Sequence, residues 1–348
     1  MKVAIAMSGG IDSSVAAALL KEQGHEVTGV TMEVIPPSNP AAGVLAGEMA
    51  GKLGIPHHIV ELREIFARRI IENFCREYSR GRTPNPCVLC NRDIKFGVLW
   101  ERAKGMGADY LATGHHARVV QDEKSGHYLL KKGADKRKDQ SYFLCRLGQE
   151  QLGRAMFPVG NMTKEQVRRL AGELGLSMAD RPESQEICFI PDDDYTGFLK
   201  GRIPGAAVPG PVLDSEGKII GEHRGIIHYT VGQRKGLGIA AKEPLYVIAI
   251  DAERNAVIAG TKEQTHGTEL VAGDLNWIAV SPPEAPVKVK AKIRYGHAEA
   301  EATVTPIDND SVSVTFNKPQ TAITPGQTVV FYNVDTVIGG GTILRQVQ

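Results

Sequence analysis

The sequence predicts an α/β fold: an N-terminal domain built on a parallel β-sheet, a small central β-rich domain, and a C-terminal antiparallel β-barrel. At residues 3–7 a short apolar run leads directly into a glycine-rich turn and then into apolar residues at helical spacing. That order is typical of a parallel sheet covered by helices. After Pro191 the strand–helix alternation ends, and from about residue 272 apolar and polar residues alternate as in antiparallel barrel strands. We place the three domains at residues 1–197, 198–270 and 271–348.

Apolar periodicity places the other elements of the N-terminal domain. The period of two or of 3.6 residues in each segment decides between strand and helix. Thr163 and Gln166 form a capping box that predicts the start of a further helix, which ends near Gly175. The earlier elements, in chain order, are a strand at 27–32, a helix at 44–53, a strand at 59–62, a helix whose buried face carries Phe66, Ile70, Phe74 and Tyr78, and a strand at 110–113.

Length and composition bound the class of protein. A chain of 348 residues is long enough for two or three domains with a sizeable core. Its net charge of +1 argues against a generally basic protein, although a local basic patch can still hold nucleic acid. We find neither a signal-peptide pattern nor a transmembrane run of the roughly 18 apolar residues required, so we expect a cytoplasmic location and no membrane partner. The five cysteines then predict thiol chemistry or metal binding rather than structural disulfides.

Residues 8–14 read SGGIDSS and join the first strand to a helix N-terminus. Backbone N–H groups at such a turn, together with the helix dipole, can hold an anion. Gly9 and Gly10 allow the backbone to approach a phosphate closely, and the serines add hydroxyl donors. A carboxylate beside phosphates usually needs a metal ion between them, so Asp12 predicts bound Mg²⁺. The segment lacks the lysine of the Walker loop and the third glycine of the dinucleotide fingerprint, so we predict a different kind of nucleotide phosphate loop. The simpler alternative is an ordinary capped glycine turn.

Residues 81–91 read GRTPNPCVLCN, and their two prolines predict a rigid loop rather than a helix. We predict that Asn91 caps the helix that follows. Cys90 would then lie beside a helix N-terminus, where the dipole lowers the pKa of a thiol. Cys75 and Cys145 fall within helical patterns and are predicted to be buried packing residues.

Cys87, Cys90 and Cys188 offer three soft ligands. Three thiolates suit a [4Fe–4S] cluster with one open iron that could bind hydrosulfide. A structural zinc site needs four ligands, so His115 or His116 would have to complete the set. A redox-active dithiol without metal is the remaining alternative.

Basic residues outnumber acidic ones between positions 131 and 154, and this segment is the best candidate for a nucleic-acid footprint. The basic residues are Lys131, Lys132, Lys136, Arg137, Lys138, Arg146 and Arg154.

Eight motifs occur in one order along the chain: SGGIDSS, TPNPCVLCN, ATGHHA, KDQSYFL, SQEICFI, GQRKGLGI, TPGQTVVFYN and GGGTI. The first resembles the pyrophosphate loop of ATP pyrophosphatases. Together they resemble the tRNA-specific 2-thiouridylase family over essentially the whole chain. The resemblance implies an N-terminal domain like the adenine nucleotide α-hydrolases. It also implies ATP-dependent replacement of the 2-oxygen of the wobble uridine by sulfur in tRNAs for Lys, Glu and Gln, with a sulfur-donor protein or persulfide carrier as partner.

The resemblance also implies roles for individual residues. The ATP-binding residues would be Ala6, Met7, Ser8, Gly9, Gly10, Ile11, Asp12, Ser13, Met32 and Gly114. The uridine-binding loop would be Asn85, Pro86 and Cys87. Contacts to tRNA would come from His115, Lys138, Asp139, Gln140, Arg294, Tyr295 and Gln327. Cys90 would be the nucleophile and Cys188 the persulfide cysteine, after adenylation has turned the uridine oxygen into part of a good leaving group.

The chain departs from the family at two places. Many members carry Asp where this chain has Cys87, so an acid/base role for that Asp cannot be transferred, and the Cys-x-x-Cys spacing favours the cluster. The chain is also short between Met32 and Leu53, where many members have an acidic insert that contains cysteine.

Two other functions compete with the resemblance. Another ATP pyrophosphatase, such as a tRNA lysidine synthetase or an amidating ligase, would not need the paired cysteines. A non-enzymatic protein that binds tRNA or senses redox state would not need the phosphate loop.

Overall fold

The structure is a computed structural model of the chain, and it describes residues 1–35, 41–176, 187–190, 194–203, 205 and 207–347. The first part of the SQEICFI motif, residues 184–186, lies outside the described residues. Pro191, after which we predicted that the strand–helix alternation ends, also lies outside them.

The N-terminal part of the chain alternates strands and helices as the periodicity predicted. Two helices continue through π-helical turns, at Ala67–Ile71 and at Cys90–Leu99. The strands are β1 (Lys2–Ala6), β2 (Glu26–Glu33), β3 (His57–Glu61), β4 (Tyr110–Thr113), β5 (Ala117–Gln121), β6 (Tyr128–Lys132) and β7 (Ala155–Met156). The helices are α1 (Ile11–Glu22), α2 (Ala41–Leu53), α3 (Arg63–Phe66), α4 (Glu72–Ser79), α5 (Pro86–Leu89), α6 (Trp100–Gly105), α7 (Ser141–Leu144), α8 (Gln149–Gly153) and α9 (Lys164–Glu173).

The rest of the described chain is mainly β-structure. The helix α10 (Tyr195–Lys200) opens it, and short 3₁₀ turns lie at Ile226–His228 and Glu263–Thr265. The central strands are β8 (Gly210–Leu213), β9 (Ile219–His223), β10 (Tyr246–Asp251) and β11 (Ala256–Gly260). The last strands are β12 (His266–Trp277), β13 (Val287–Lys292), β14 (Ala300–Pro306), β15 (Ser311–Thr321), β16 (Thr328–Asn333) and β17 (Thr336–Val347).

The N-terminal sheet is parallel and has the strand order β3-β2-β1-β4-β7. Side chains alternate between its two faces, so Val3 and Ile5 enter one hydrophobic core while Ala4 enters the other. Helices α1, α2 and α9 cover the first face, and the helical segments between residues 63 and 105 cover the second. Burial on both faces explains why the strands are almost uniformly apolar.

The chain passes from β1 outward to β2 and β3, then returns to place β4 on the other side of β1. The carboxyl ends of β1 and β4 therefore form a topological switch point, where open α/β sheets bind their ligands. Residues 8–14 follow β1 and residues 114–116 follow β4, so the sheet brings two predicted motifs to one edge.

The predicted C-terminal barrel is confirmed. Its strands follow the order β12-β15-β14-β13-β16-β17, and pairing of β12 with β17 closes the ring. The hairpin β5–β6 of the N-terminal part joins this sheet by pairing Lys131 with Thr336 of β17. The central strands form a separate sheet with the order β10-β11-β8-β9 around its own apolar cluster. No described helix is long and apolar enough to cross a membrane.

Candidate active site

The phosphate loop, residues 8–14, is held by its own serines. The Ser13 hydroxyl donates to the Gly10 carbonyl at 3.0 Å and accepts from the Ser8 backbone N–H at 3.3 Å. The Ser14 hydroxyl also donates to the Gly10 carbonyl at 3.0 Å. Gly9 has φ of +75°, which favours glycine. Two of the predicted hydroxyl donors thus shape the loop, because their hydrogens already point at a carbonyl.

Gly114 allows the end of β4 to pack closely against the backbone of this loop. A Cβ atom at position 114 would lie 2.6 Å from the Asp12 carbonyl carbon and from the Ser13 backbone nitrogen. Real Cβ atoms do not approach backbone so closely, so any side chain here would push the loop away. Glycine at 114 therefore sets the spacing between the two motifs at the switch point.

Asp12 forms an ion pair that the sequence did not reveal. Its two carboxylate oxygens accept from Lys164 Nζ at 2.7 and 2.8 Å, and His116 Nε2 lies 3.4 Å from Oδ1. The Lys164 side chain is 8% exposed and the Asp12 side chain 31%. Burial pushes the pKa of Asp12 upward, but the hydrogen bonds and positive charge of His116 and Lys164 outweigh burial and leave the pKa below its usual 3.8. The carboxylate is therefore ionised at neutral pH.

A cavity of about 210 Å³ lies at the carboxyl ends of β1 and β4. His115 in its wall packs against Phe96 and Phe157 and makes a 2.7 Å hydrogen bond between Nδ1 and the Thr113 hydroxyl. Burial holds the pKa of His115 well below its usual value, so the ring is neutral. The cavity is lined by Ala6, Met7, Ser8, Asp12, Ser13, Val30, Met32, Lys95, Thr113, Gly114, His115 and Gln140.

This cavity, named here the nucleotide cavity, gathers most of the residues assigned to ATP through the resemblance. Gly9, Gly10 and Ile11 belong to the loop that forms its edge. Gln140, assigned to tRNA, also lines it, and its Oε1 accepts from the His116 backbone N–H at 2.9 Å.

The prediction that Asn91 caps the cysteine-bearing helix is wrong. The helix begins six residues earlier: Asn85 is the N-cap residue in extended conformation, and Pro86 occupies the first turn. Proline is tolerated there because that N–H has no intrahelical partner, so Pro86 starts the helix instead of preventing it. We name the continuous helical run of residues 86–105 the cysteine helix; Asn91 lies inside it, buried, and donates to the Phe143 carbonyl at 3.0 Å.

The consequence drawn for Cys90 is also wrong. Cys90 lies at the first π-helical residue, beyond the first turn, and burial raises the pKa of its thiol to about 12. Burial likewise raises the pKa of Cys87 to about 11 and raises the pKa of Cys188. Cys87 and Cys188 have exposed surface although protein atoms surround their thiols. All three are therefore protonated at neutral pH.

The π-helical part of the cysteine helix has two supports. Gln151 donates from Nε2 to the Arg92 carbonyl at 2.8 Å and to the Phe96 carbonyl at 2.9 Å. At Gly97 a Cβ atom would lie 3.0 Å from the Arg92 carbonyl oxygen, which is tighter than ordinary contact. A side chain at 97 would thus strain the wide turn, and glycine relieves it.

The start of the cysteine helix is fixed against the barrel. Thr83 donates its backbone N–H to the Pro325 carbonyl at 2.9 Å, and the Gln327 side chain donates to the Thr83 carbonyl at 2.9 Å. Gln327, assigned to tRNA through the resemblance, thus holds the loop before Asn85. Beside Asn85 lies a second cavity of about 300 Å³. Pro86 itself is buried.

The other residues assigned to tRNA lie near one another. The Tyr295 ring centroid is 4.4 Å from that of Phe143, which follows residues 138–140 closely in the chain. Arg294 is half-buried beside Tyr295, which is 37% exposed. Asp139 is buried, and its carboxylate accepts from the Gly133 and Ser141 backbone N–H groups.

The basic segment 131–154 is less available than its composition predicted. Arg146 is 3% exposed and forms an ion pair with Asp274, so it is not a surface contact. Lys131 pairs with Asp335 at 3.2 Å. The prediction that Cys145 is buried is confirmed, whereas the prediction for Cys75 is only partly right, because Cys75 is half-buried on the helix of residues 63–79.

The cysteines do not converge as metal ligands. Within the described ranges, no three Cys, His, Asp or Glu side chains come close enough to hold one metal ion. The arrangement does not fit a resident iron–sulfur cluster or a zinc ion.

Sequence reasoning missed Lys95 and Lys164. Lys164 is the first residue after the capping threonine of α9, a position that predicts a helix start and carries no signal of a partner 152 residues away. Lys95 lies five residues after Cys90, a spacing that would separate the two in an ordinary α-helix.

The parallel sheet, the glycine loop at its switch point and the adjoining thiols define the class of protein: a nucleotide-binding α/β protein of the pyrophosphate-loop type with a cysteine site. Family models match the whole arrangement. The "tRNA methyl transferase HUP domain" matches residues 1–192, the "tRNA methyl transferase PRC-barrel domain" residues 196–261, and the "Aminomethyltransferase beta-barrel domain" residues 267–343.

Curated relatives name the family. A "tRNA-specific 2-thiouridylase MnmA 2" from Thermoanaerobacter sp. is 52% identical, covering 100% of this chain and 99% of the relative. A "tRNA-specific 2-thiouridylase MnmA 1" from Caldanaerobacter subterraneus subsp. tengcongensis is 53% identical with the same coverage. A solved 4-thiouridine synthetase–RNA complex with bound ATP is 20% identical, covering 59% of this chain and 50% of that one, at a TM-score of 0.39. The chain belongs to the tRNA-specific 2-thiouridylase family.

Proposed function

We propose that this protein catalyses ATP-dependent 2-thiolation of the wobble uridine in tRNA, in the isoacceptors for Lys, Glu and Gln. The main observation behind the proposal is that the nucleotide cavity and the cysteine site are adjacent. The cysteine helix contributes Lys95 to the wall of the nucleotide cavity, so the helix that bears Cys87 and Cys90 borders the phosphate loop directly. An activated uridine formed in that cavity would lie beside the thiols.

ATP is the first substrate. The backbone N–H groups of residues 8–14 suit the pyrophosphate part of ATP, because they open at a helix N-terminus beside a switch point. Met32 lines the same cavity and is available to the adenine. Asp12 is ionised, so it can bind Mg²⁺ in exchange for its contact with Lys164. Bound Mg²⁺ would supply positive charge to the departing pyrophosphate.

The uracil 2-oxygen is a poor leaving group until it is adenylated. In the proposed reaction this oxygen attacks the α-phosphorus of ATP, and pyrophosphate leaves. A persulfide on Cys188 then attacks the C2 carbon with its terminal sulfur, and AMP leaves with the former uridine oxygen. The Cys90 thiol loses its proton and attacks Cys188 Sγ, which cleaves the persulfide bond and yields 2-thiouridine and a Cys90–Cys188 disulfide. A thiol reductant must then restore both cysteines.

The Cys87 side chain distinguishes this route from the iron–sulfur alternative. A cluster would need the thiolates of Cys87, Cys90 and Cys188 to converge on it. If a cluster is present in the active protein, Cys87→Ser should lower iron content and thiolation together. If Cys188 carries a persulfide, Cys87→Ser should cost far less thiolation than Cys90→Ser or Cys188→Ser. Full activity of metal-free protein with a persulfide donor would support the route through a persulfide on Cys188.

The tRNA surface proposed here centres on Tyr295 and Arg294, because Tyr295 is exposed and its ring packs against Phe143, three residues after Gln140. An aromatic ring at this place can stack on an unpaired base. Asp139 and Gln327 act through the backbone segments that they hold. The sulfur donor is proposed to be a protein or small carrier that delivers a persulfide to Cys188, whose surface is open.

The experiment that tests the proposal uses the full chain, ATP, Mg²⁺, a persulfide donor and tRNA transcripts that lack modifications. Mass analysis of the nucleosides should show 2-thiouridine at the wobble position, with one AMP and one pyrophosphate for each sulfur. Cys188→Ser is the matched inactive control, and Cys75→Ser, which replaces a cysteine on another helix, should remain active. Modification of a different nucleoside, or none, would favour one of the competing functions.

A further inference from the structure

Lys95 lies at the boundary between the nucleotide cavity and the cysteines. It belongs to the π-helix Cys90–Leu99 and lines the cavity together with Ser8 and Asp12. Its side chain is half-buried. Among the residues that the structure describes, it forms no ion pair and no side-chain hydrogen bond. A cation in this position is available to a ligand.

The π-helical turn brings Lys95 to the side of the helix that bears Cys90. A π-helix closes its turn with i→i+5 hydrogen bonds, so residues 90 and 95 are one turn apart. In an α-helix the residue one turn away is at i+3 or i+4, and position 95 would rotate away from Cys90. Gln151 and Gly97 support this wide turn, as described above.

The charges around the cavity leave Lys95 as the cation that faces it. Asp12 already has Lys164 as its partner, and His115 is neutral. No other Lys or Arg lines the cavity in the described part of the chain. The field of Lys95 also reaches the sulfur site, because its charge opposes the effect of burial on the pKa of Cys87, Cys90 and Cys188.

We propose that Lys95 binds the phosphate of the adenylated uridine and stabilises the AMP that leaves when sulfur attacks. This inference rests on the proposed thiolation. In that step a sulfur lone pair forms the C2–S bond, the C2–O bond breaks, and its electron pair departs on the AMP oxygen. Once pyrophosphate has left, the phosphate loop no longer holds the groups that it bound. The remaining phosphate then needs a cation on the side of the cysteines, which is where Lys95 lies.

The test separates the two half-reactions. Lys95→Met, Lys95→Arg and the control Lys104→Met, an exposed residue of the same helical run, are loaded with persulfide and followed in single turnover with tRNA. Pyrophosphate release reports adenylation, and AMP release with 2-thiouridine reports sulfur transfer. We expect Lys95→Met to slow sulfur transfer about 100-fold, the usual loss for a preorganised group that stabilises developing charge. Pyrophosphate release and tRNA affinity should change far less.

Lys95→Arg keeps the positive charge and should recover most of the rate, while Lys104→Met should match the wild type. The inference is overturned if Lys95→Met transfers sulfur at the wild-type rate. It is equally overturned if Lys95→Met and Lys95→Arg lose the same activity, or if tRNA affinity accounts for the loss. Failure of the proposed function looks different: the wild-type protein itself would then release no tRNA-dependent pyrophosphate.

Discussion

Replacing Asp12 by alanine should affect both catalysis and stability, because the carboxylate has two roles. It is the group proposed to bind Mg²⁺ beside the phosphates, and it is the partner of Lys164, whose side chain is 8% exposed. Asp12→Ala removes this acceptor from the buried ammonium group of Lys164. Hydrogen bonds to charged groups contribute about 1.5–3 kcal/mol each. Because Asp12 is partly exposed, we expect the variant to lose free energy of unfolding within that range and not the larger amount typical of a fully buried pair.

A loss of this size is measurable by thermal unfolding. For a domain the size of the segment at residues 1–192 it should lower the melting midpoint by about 3–12 °C. The double variant Asp12→Ala/Lys164→Met removes both charges of the pair, so it should recover part of the midpoint while remaining unable to release pyrophosphate. Asp12→Asn should also lose pyrophosphate release while keeping an acceptor for Lys164.

The pH dependence follows from the lowered pKa of Asp12. Because the pKa in the folded state is below 3.8, the ion pair contributes stability above that pH and loses it as the pH falls through the folded-state value. The difference in melting midpoint between wild type and Asp12→Ala should therefore have its full size at pH 7. It should become smaller as the pH is lowered toward the pKa of Asp12. Wild-type pyrophosphate release by Asp12→Ala would refute the metal-binding role. A double variant no more stable than Asp12→Ala would refute the role of the ion pair.

Three further results are expected. Neutralising the three basic residues at 136–138 should lower the slope of log affinity for tRNA against log salt by about one for each phosphate that the variant no longer binds, and an unchanged slope would place the tRNA elsewhere. Alkylation of Cys90 should rise about tenfold per pH unit from pH 7 to 10, because burial has raised the pKa of its thiol, and a plateau near pH 8.5 would contradict this. Gln151→Leu should lower the free energy of unfolding by about 1–3 kcal/mol and slow sulfur transfer more than pyrophosphate release, since two π-helical carbonyls lose their donor; equal slowing of both steps would argue against a specific role of the wide turn.

The sequence predicted the sheet and the phosphate loop correctly because the signals there are local. An apolar strand, two glycines and a helical apolar period occupy adjacent positions, and each has a single physical interpretation. The closed barrel was predicted for the same reason, since its alternation repeats strand after strand. The domain limits at 197/198 and 270/271 stay predictions.

The wrong predictions concern residues whose surroundings depend on contacts with parts of the chain that are distant in sequence. The two prolines predicted a rigid loop, although proline at the first turn, as at Pro86, begins a helix. The prediction therefore placed Cys90 beside a helix N-terminus, and the packing that buries its thiol was not visible in the spacing. Arg146 was counted as a surface cation, while its partner Asp274 lies 128 residues away in the barrel. The π-helical turn that carries Lys95 has no simple sequence pattern.

The central claim is that the uridine 2-oxygen is adenylated before sulfur replaces it. A tRNA transcript with oxygen-18 at the 2-position of the wobble uridine tests this claim in one turnover with ATP and a persulfide donor. We predict that the label appears in the phosphate of AMP in a one-to-one ratio with 2-thiouridine. If 2-thiouridine forms while the label is found in water or pyrophosphate, the adenylation step and the roles built on it are wrong.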